Sequence, residues 1–152
     1  MAGSPLKERI GEDTKATMRA RDARRLGVMR LVNSEIKRVE VDERRMLDDG
    51  DVIVVLERML KQRADSQRQF LDAHRTDLAD QEAFEIGIIR AYMPAPLAPE
   101  ELAACIATAV AECGATSPRD MGAVMALLKP RIVGRADMKG VSALVRQALG
   151  KA

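Results

Sequence analysis

Four basic residues crowd one short stretch of this 152-residue chain: Lys129, Arg131, Arg135 and Lys139. Ammonium and guanidinium groups gathered at helix ends are donors for phosphate oxygens, and arginine adds a planar, two-pronged fork. That chemistry requires a scaffold that holds them still. Met121, Val124, Met125 and Leu128 recur at helical spacing, and Val141, Leu144, Val145 and Leu149 do so again. Pro130 is expected to end the first of these helices. Gly134 permits a positive φ in the turn, and Asp137 is placed to cap the second helix. Gly122 is expected to allow close helix packing or the close approach of a phosphate-bearing ligand. The three residues Gly122, Gly134 and Asp137 would thus shape a rigid cationic corner able to hold a phosphate backbone. The competing reading is a solvated corner in which Arg135 or Lys139 pairs with local carboxylates.

Other chemistry lacks its parts. His74 is the single histidine, and it falls in an expected exposed turn with no nucleophile beside it. Cys105 and Cys113 are eight apart on one expected helix, about 12 Å along its axis, too far for a disulfide. One histidine and two such cysteines make no zinc set. No glycine-rich phosphate loop follows a strand. Asp48-Asp49-Gly50-Asp51 lacks the oxygen spacing and closing glutamate of a calcium loop, so it reads as a helix cap. Glu82 and Glu85 could pair for acid–base work, but a solvated face or an arginine partner accounts for them. The sequence thus offers no catalytic constellation, no cofactor site and no metal site.

Composition narrows the classes further. Phe70, Phe84 and Tyr92 are the only aromatic residues apart from His74, which argues against base-stacking platforms. The net charge is only +2, yet 18 of the 25 basic residues are arginine. No stretch of about 20 apolar residues occurs, so no membrane span is expected. No apolar run follows the first basic residues, and the cysteines read as buried thiols of a reducing compartment. The expectation is a cytoplasmic protein.

The rest of the chain reads as helices. Ser4-Pro5 opens the first, which runs to about Arg21 with Leu6, Ile10, Thr14 and Met18 as a sparse inner stripe. Asp22 caps a second, arginine-rich helix, and Val41 to Arg45 is expected to fray into a loop. The aspartates at 48–51 cap a third, with Val52, Val55, Leu56, Met59 and Leu60 inward. Asp77 is expected to cap a fourth. Pro94, Pro96 and Pro99 forbid a continuous helix, so a linker over 94–98 separates domains 1–93 and 99–152. Pro99 starts a fifth helix ended by Gly114, and Ser117 to Asp120 begins a sixth. The expected class is all-α: about four helices in the N-terminal domain and three in the C-terminal one.

At this point the chain resembles a known family. The C-terminal half is similar to the tail domain of the B subunit of glutamine-dependent aspartyl/glutamyl-tRNA amidotransferase. The whole chain resembles the YqeY-like proteins, which join that tail to a helical N-terminal domain. The residues carrying the resemblance include Leu6-Lys7-Glu8-Arg9-Ile10, Glu35-Ile36-Lys37, Lys61-Gln62-Arg63 and Tyr92-Met93-Pro94. They continue through Asp120-Met121-Gly122, Lys129-Pro130, Gly134-Arg135-Ala136-Asp137, Lys139 and Leu144-Val145. Ala123 and Met138 depart from the pattern, standing where relatives often carry Lys and Gly. The resemblance implies a tRNA-associated module, with Lys129, Arg131, Arg135 and Lys139 on phosphates. It also implies a carbon–nitrogen ligase label with glutamine as amido donor, inherited from a larger enzyme whose catalytic parts have no counterpart here. A protein-interaction adaptor, offering its arginine-rich helices to an acidic partner, is one alternative, and an accessory to a carbon–nitrogen ligase with glutamine as amido donor is the other.

Overall fold

The computed structural model describes residues 3–150. Its described residues form seven α-helices and one 3-10 turn, with no strand. The helices are α1 (Pro5–Arg19), α2 (Ala23–Glu43), α3 (Asp49–Asp72), α4 (Thr76–Arg90), α5 (Pro99–Cys113), α6 (Met121–Ile132) and α7 (Met138–Gly150). Two compact units arise, one ending at Met93 and the other beginning at Pro94.

Caps explain most helix starts. Ser4 Oγ accepts from Lys7 N at 3.0 Å, and Pro5 takes the first position of α1, where its missing N–H costs nothing. Asp22 caps α2 through Arg25 N at 3.1 Å. Asp48 and Asp51 cap α3 reciprocally, each carboxylate accepting from the other's backbone N–H. The start of α4 departs from expectation: the helix begins at Thr76, and Asp77 lies inside its first turn, ion-paired to Arg75 at 3.0 Å.

Three helix ends in the first unit close through residues other than glycine. Arg21, Arg44 and His74 hold φ of 57°, 53° and 57°. Each sits at the reversal of a paired 6→1 and 5→2 hydrogen-bond closure, as in Arg45 N to Glu40 O (3.2 Å) with Arg44 N to Val41 O (3.3 Å). The closure at Arg44 also corrects the expectation of a frayed 41–45 segment. The helix persists to Glu43, and Arg38 bridges to Asp42 one turn on. The left-handed backbone costs an ordinary residue about 1–2 kcal/mol, and glycine's extra unfolded freedom offsets about 0.5–1 of that. Arg44→Gly is therefore expected to stabilise the protein by about 0.5–1 kcal/mol, read as a raised urea midpoint at unchanged slope.

The core of this unit gathers Ile10 of α1, Val28, Met29, Val32 and Ile36 of α2, Val52, Val55, Leu56 and Met59 of α3, and Ile88 and Ile89 of α4. Met18, assigned above to the inner stripe, is instead half exposed. Polar ties cross the same core. Lys7 Nζ lies 2.7 Å from Glu40 Oε1, and Glu40 Oε2 accepts from Leu47 N at 3.1 Å. Asp49 accepts from Ser4 Oγ and from Leu6 N. Tyr92 donates to Asp13 at 2.6 Å, with Arg9 over its ring at 4.9 Å. Glu85 pairs with Arg63 at 2.8 Å, both largely buried, which settles Glu85 as an arginine partner.

The second unit packs around α6. Val124, Met125, Leu128 and Ile132 of α6 meet Ile106 and Ala109 of α5 and Val141, Val145 and Leu149 of α7. Leu144, expected inward, is 43% exposed. Gly114 ends α5 at φ 62°. A 3-10 turn, Pro118–Asp120, precedes α6, and Asp120 Oδ2 accepts from the N–H of Thr116 and Ser117.

Candidate nucleic-acid interface

The basic stretch is built by the end of α6, a five-residue turn and the start of α7. Pro130 does not end α6, contrary to expectation. It lies inside the last turn, and the helix runs two residues further, to Ile132. A proline there removes only its own N–H, while buried Leu128 and Ile132 hold that turn on the core. Lys129 and Arg131 therefore project from a helical turn. Gly134 takes φ 72°, and Arg135 N closes the turn on Ile132 O at 2.9 Å. Asp137 caps α7 through Gly140 N at 3.3 Å. Gly122 lies at the other end of α6, exposed, and a Cβ there would meet nothing within 4 Å, so close helix packing does not require it.

The four cations have different surroundings. Arg131 is ion-paired to Glu112 of α5 at 2.6 Å, both groups about half exposed. Arg135 donates from Nε to Ala95 O at 2.9 Å, and its own carbonyl accepts from Leu97 N at 2.9 Å. These two bonds fasten the proline-rich segment 94–97 to the turn and fix the guanidinium plane. The Nε bond leaves the two Nη groups of the fork available. Lys129 and Lys139 are exposed and make no ion pair among the described residues. One turn thus presents two unpaired ammonium groups, one pre-oriented guanidinium and one guanidinium that shares its charge with a surface carboxylate.

Sequence reasoning missed Glu112 and Ala95. Neither carries a local signal, since Glu112 lies 19 residues before its arginine and Ala95 contributes only a carbonyl. Charge balance supports the location. Residues 1–93 carry eighteen basic and eighteen acidic side chains, whereas 94–152 carry seven against five, so the whole net charge of +2 resides in the second unit.

A family model described as "Yqey-like protein" matches residues 7–149, nearly the whole chain. The chain belongs to the YqeY-like family. Among curated relatives of this YqeY-like chain, "Altered inheritance of mitochondria protein 41, mitochondrial" of Kluyveromyces lactis is 36% identical over 94 residues, covering 60% of this chain and 51% of that protein. The protein of the same name in Lachancea thermotolerans is 33% identical over 112 residues, covering 72% and 60% respectively. The chain thus spans about half the length of the curated relatives it matches. Their names place them in mitochondria, a different compartment from the cytoplasm expected of this sequence. Among the described residues, no helix is long and apolar enough to cross a membrane.

Proposed function

We propose that this YqeY-like chain is a non-catalytic, tRNA-associated helical module that grips RNA phosphates with the α6–α7 turn. The observation that carries this reading is the pair of unpaired ammonium groups, Lys129 and Lys139, flanking a turn held by its own capping and closure bonds. Lys129 and Lys139 serve as point charges for phosphate, Arg135 offers its Nη edge, and Arg131 exchanges Glu112 for a phosphate oxygen. Such contacts position a protein on RNA without reading bases, consistent with the scarcity of aromatic rings in this chain. The resemblance to the amidotransferase tail supports tRNA as the class of RNA.

The test is tRNA binding by the purified chain across a salt series, compared with Lys129→Ala/Lys139→Ala. Each lost phosphate contact is expected to lower the slope of log affinity against log salt by about 1. The double variant should therefore bind more weakly at low salt, with a slope shallower by about 2. Both residues are exposed, so melting temperature should hold. Binding indifferent to the double substitution would remove the turn from the interface.

A further inference from the structure

We propose that the corner between α1 and α2 is a second phosphate-contacting surface for the same RNA, formed by Arg19, Arg21, Arg24 and Arg25. This rests on the reading of the chain as an RNA-associated module, and it assigns part of the grip to the first unit.

The first unit is neutral overall, but its charge is unevenly placed. Between Thr14 and Ser34 there are six basic residues and a single acid, Asp22. The Asp22 carboxylate is engaged in capping α2. Lys15 pairs with Glu12 at 3.3 Å. None of the four corner arginines makes an ion pair among the described residues; Arg38, Arg45, Arg63, Arg68 and Arg75 of the same unit do, while Arg9, Arg30, Arg44, Arg58 and Arg90 likewise make none. Arg19, Arg21 and Arg24 are exposed, and Arg25 is half-buried.

Two of these arginines are held in place. The Arg24 guanidinium lies 3.8 Å from the Phe84 ring centroid, and its Nε and Nη2 donate to Gln81 Oε1 at 3.4 and 3.3 Å. A stacked fork with one edge bonded loses little freedom when its other edge meets a phosphate. Arg21 occupies the left-handed position that reverses the chain, locked by Arg21 N to Met18 O (3.1 Å) and Asp22 N to Thr17 O (3.3 Å). Glycine would take that backbone with less strain, so the position carries a charge at the expense of local stability.

The corner fits a polyanion better than an acidic protein surface. Protein interfaces centre on apolar and aromatic anchors, among which arginine is the one charged residue that is enriched. Here four arginines flank Ala20, Asp22 and Ala23 along the chain, and Met18 and Leu31 are the exposed large apolar side chains between Thr14 and Ser34. Guanidinium forks match phosphate oxygens two at a time.

The experiment measures tRNA affinity against salt for the wild type, the corner triple variant Arg19→Gln/Arg21→Gly/Arg24→Gln, and Lys129→Ala/Lys139→Ala. The triple variant should lose about tenfold or more at low salt, with a slope shallower by roughly 2–3. Arg21→Gly alone keeps the left-handed backbone and should lower the slope by about 0.9 while its melting temperature holds or rises. Wild-type slopes in both corner variants, with weakened binding in the lysine double variant, would overturn the corner and leave the turn in place. No tRNA binding by the wild type at low salt would overturn both. Displacement of tRNA by poly-glutamate as readily as by unlabelled tRNA at equal charge would replace phosphate recognition with a general acidic partner.

Discussion

Replacing Glu40 with alanine is expected to lower the unfolding free energy by about 3 kcal/mol, the low end for breaking a buried ion pair from one side. Glu40 is 7% exposed and holds two elements at once. Its carboxylate accepts Lys7 Nζ from α1 and the Leu47 N–H from the segment entering α3. Truncation strands a Lys7 ammonium that is only about a third exposed and a buried backbone donor. Glu40→Gln keeps an acceptor and should cost about 1–2 kcal/mol.

The pH dependence gives this loss a signature. The Lys7 hydrogen bond holds the Glu40 carboxyl below the usual carboxylate range, against the opposing effect of burial. Its contribution is therefore complete above the unfolded value, near pH 4.5, and declines as pH falls through the lower folded value. Asp51, lowered to about 2 chiefly by its hydrogen bond with Arg45, acts with the same sign. Chemical denaturation at pH 7 and at about pH 3 should show the gap between wild type and Glu40→Gln narrowing in acid. A gap of constant size would mean that ionised Glu40 adds nothing to the fold.

Leu128→Ala is expected to cost about 3–4 kcal/mol and to unfold the second unit selectively. Leu128 is fully buried on α6, the helix against which both α5 and α7 pack. A unit of fewer than 60 residues has little reserve to absorb such a cavity. Tyr92, the single tyrosine, lies in the first unit and reports on it alone. In the variant, helical circular dichroism should show an early partial loss while Tyr92 fluorescence keeps its wild-type midpoint. Coincident transitions of both probes, shifted together, would show that the units unfold as one.

Local chemistry was legible along the chain. Ser4-Pro5, Asp22, the Asp48/Asp51 pair and Asp137 cap helices through bonds spanning three residues, so type and spacing suffice to predict them. Pro99 and Gly114 bound α5 for equally local reasons. Helical periodicity found most of the core, since burial recurs every 3.6 residues whatever covers it. The errors arose where packing outweighed a local preference. Pro130 stayed inside α6 because Leu128 and Ile132 are fully buried around it, and Arg44, not glycine, closed α2.

For the candidate site, the sequence alone determined that four cations meet one turn and that six basic residues face one acid between Thr14 and Ser34. Only the tertiary structure decided which of those charges are engaged. Glu112 approaches Arg131 from 19 residues away, Ala95 O approaches Arg135 from 40, and Phe84 lies under Arg24 from 60 positions along the chain. Such partners follow no period, because they depend on how helices pack across a core, and a surface charge is available to a ligand only if that packing leaves it unmatched.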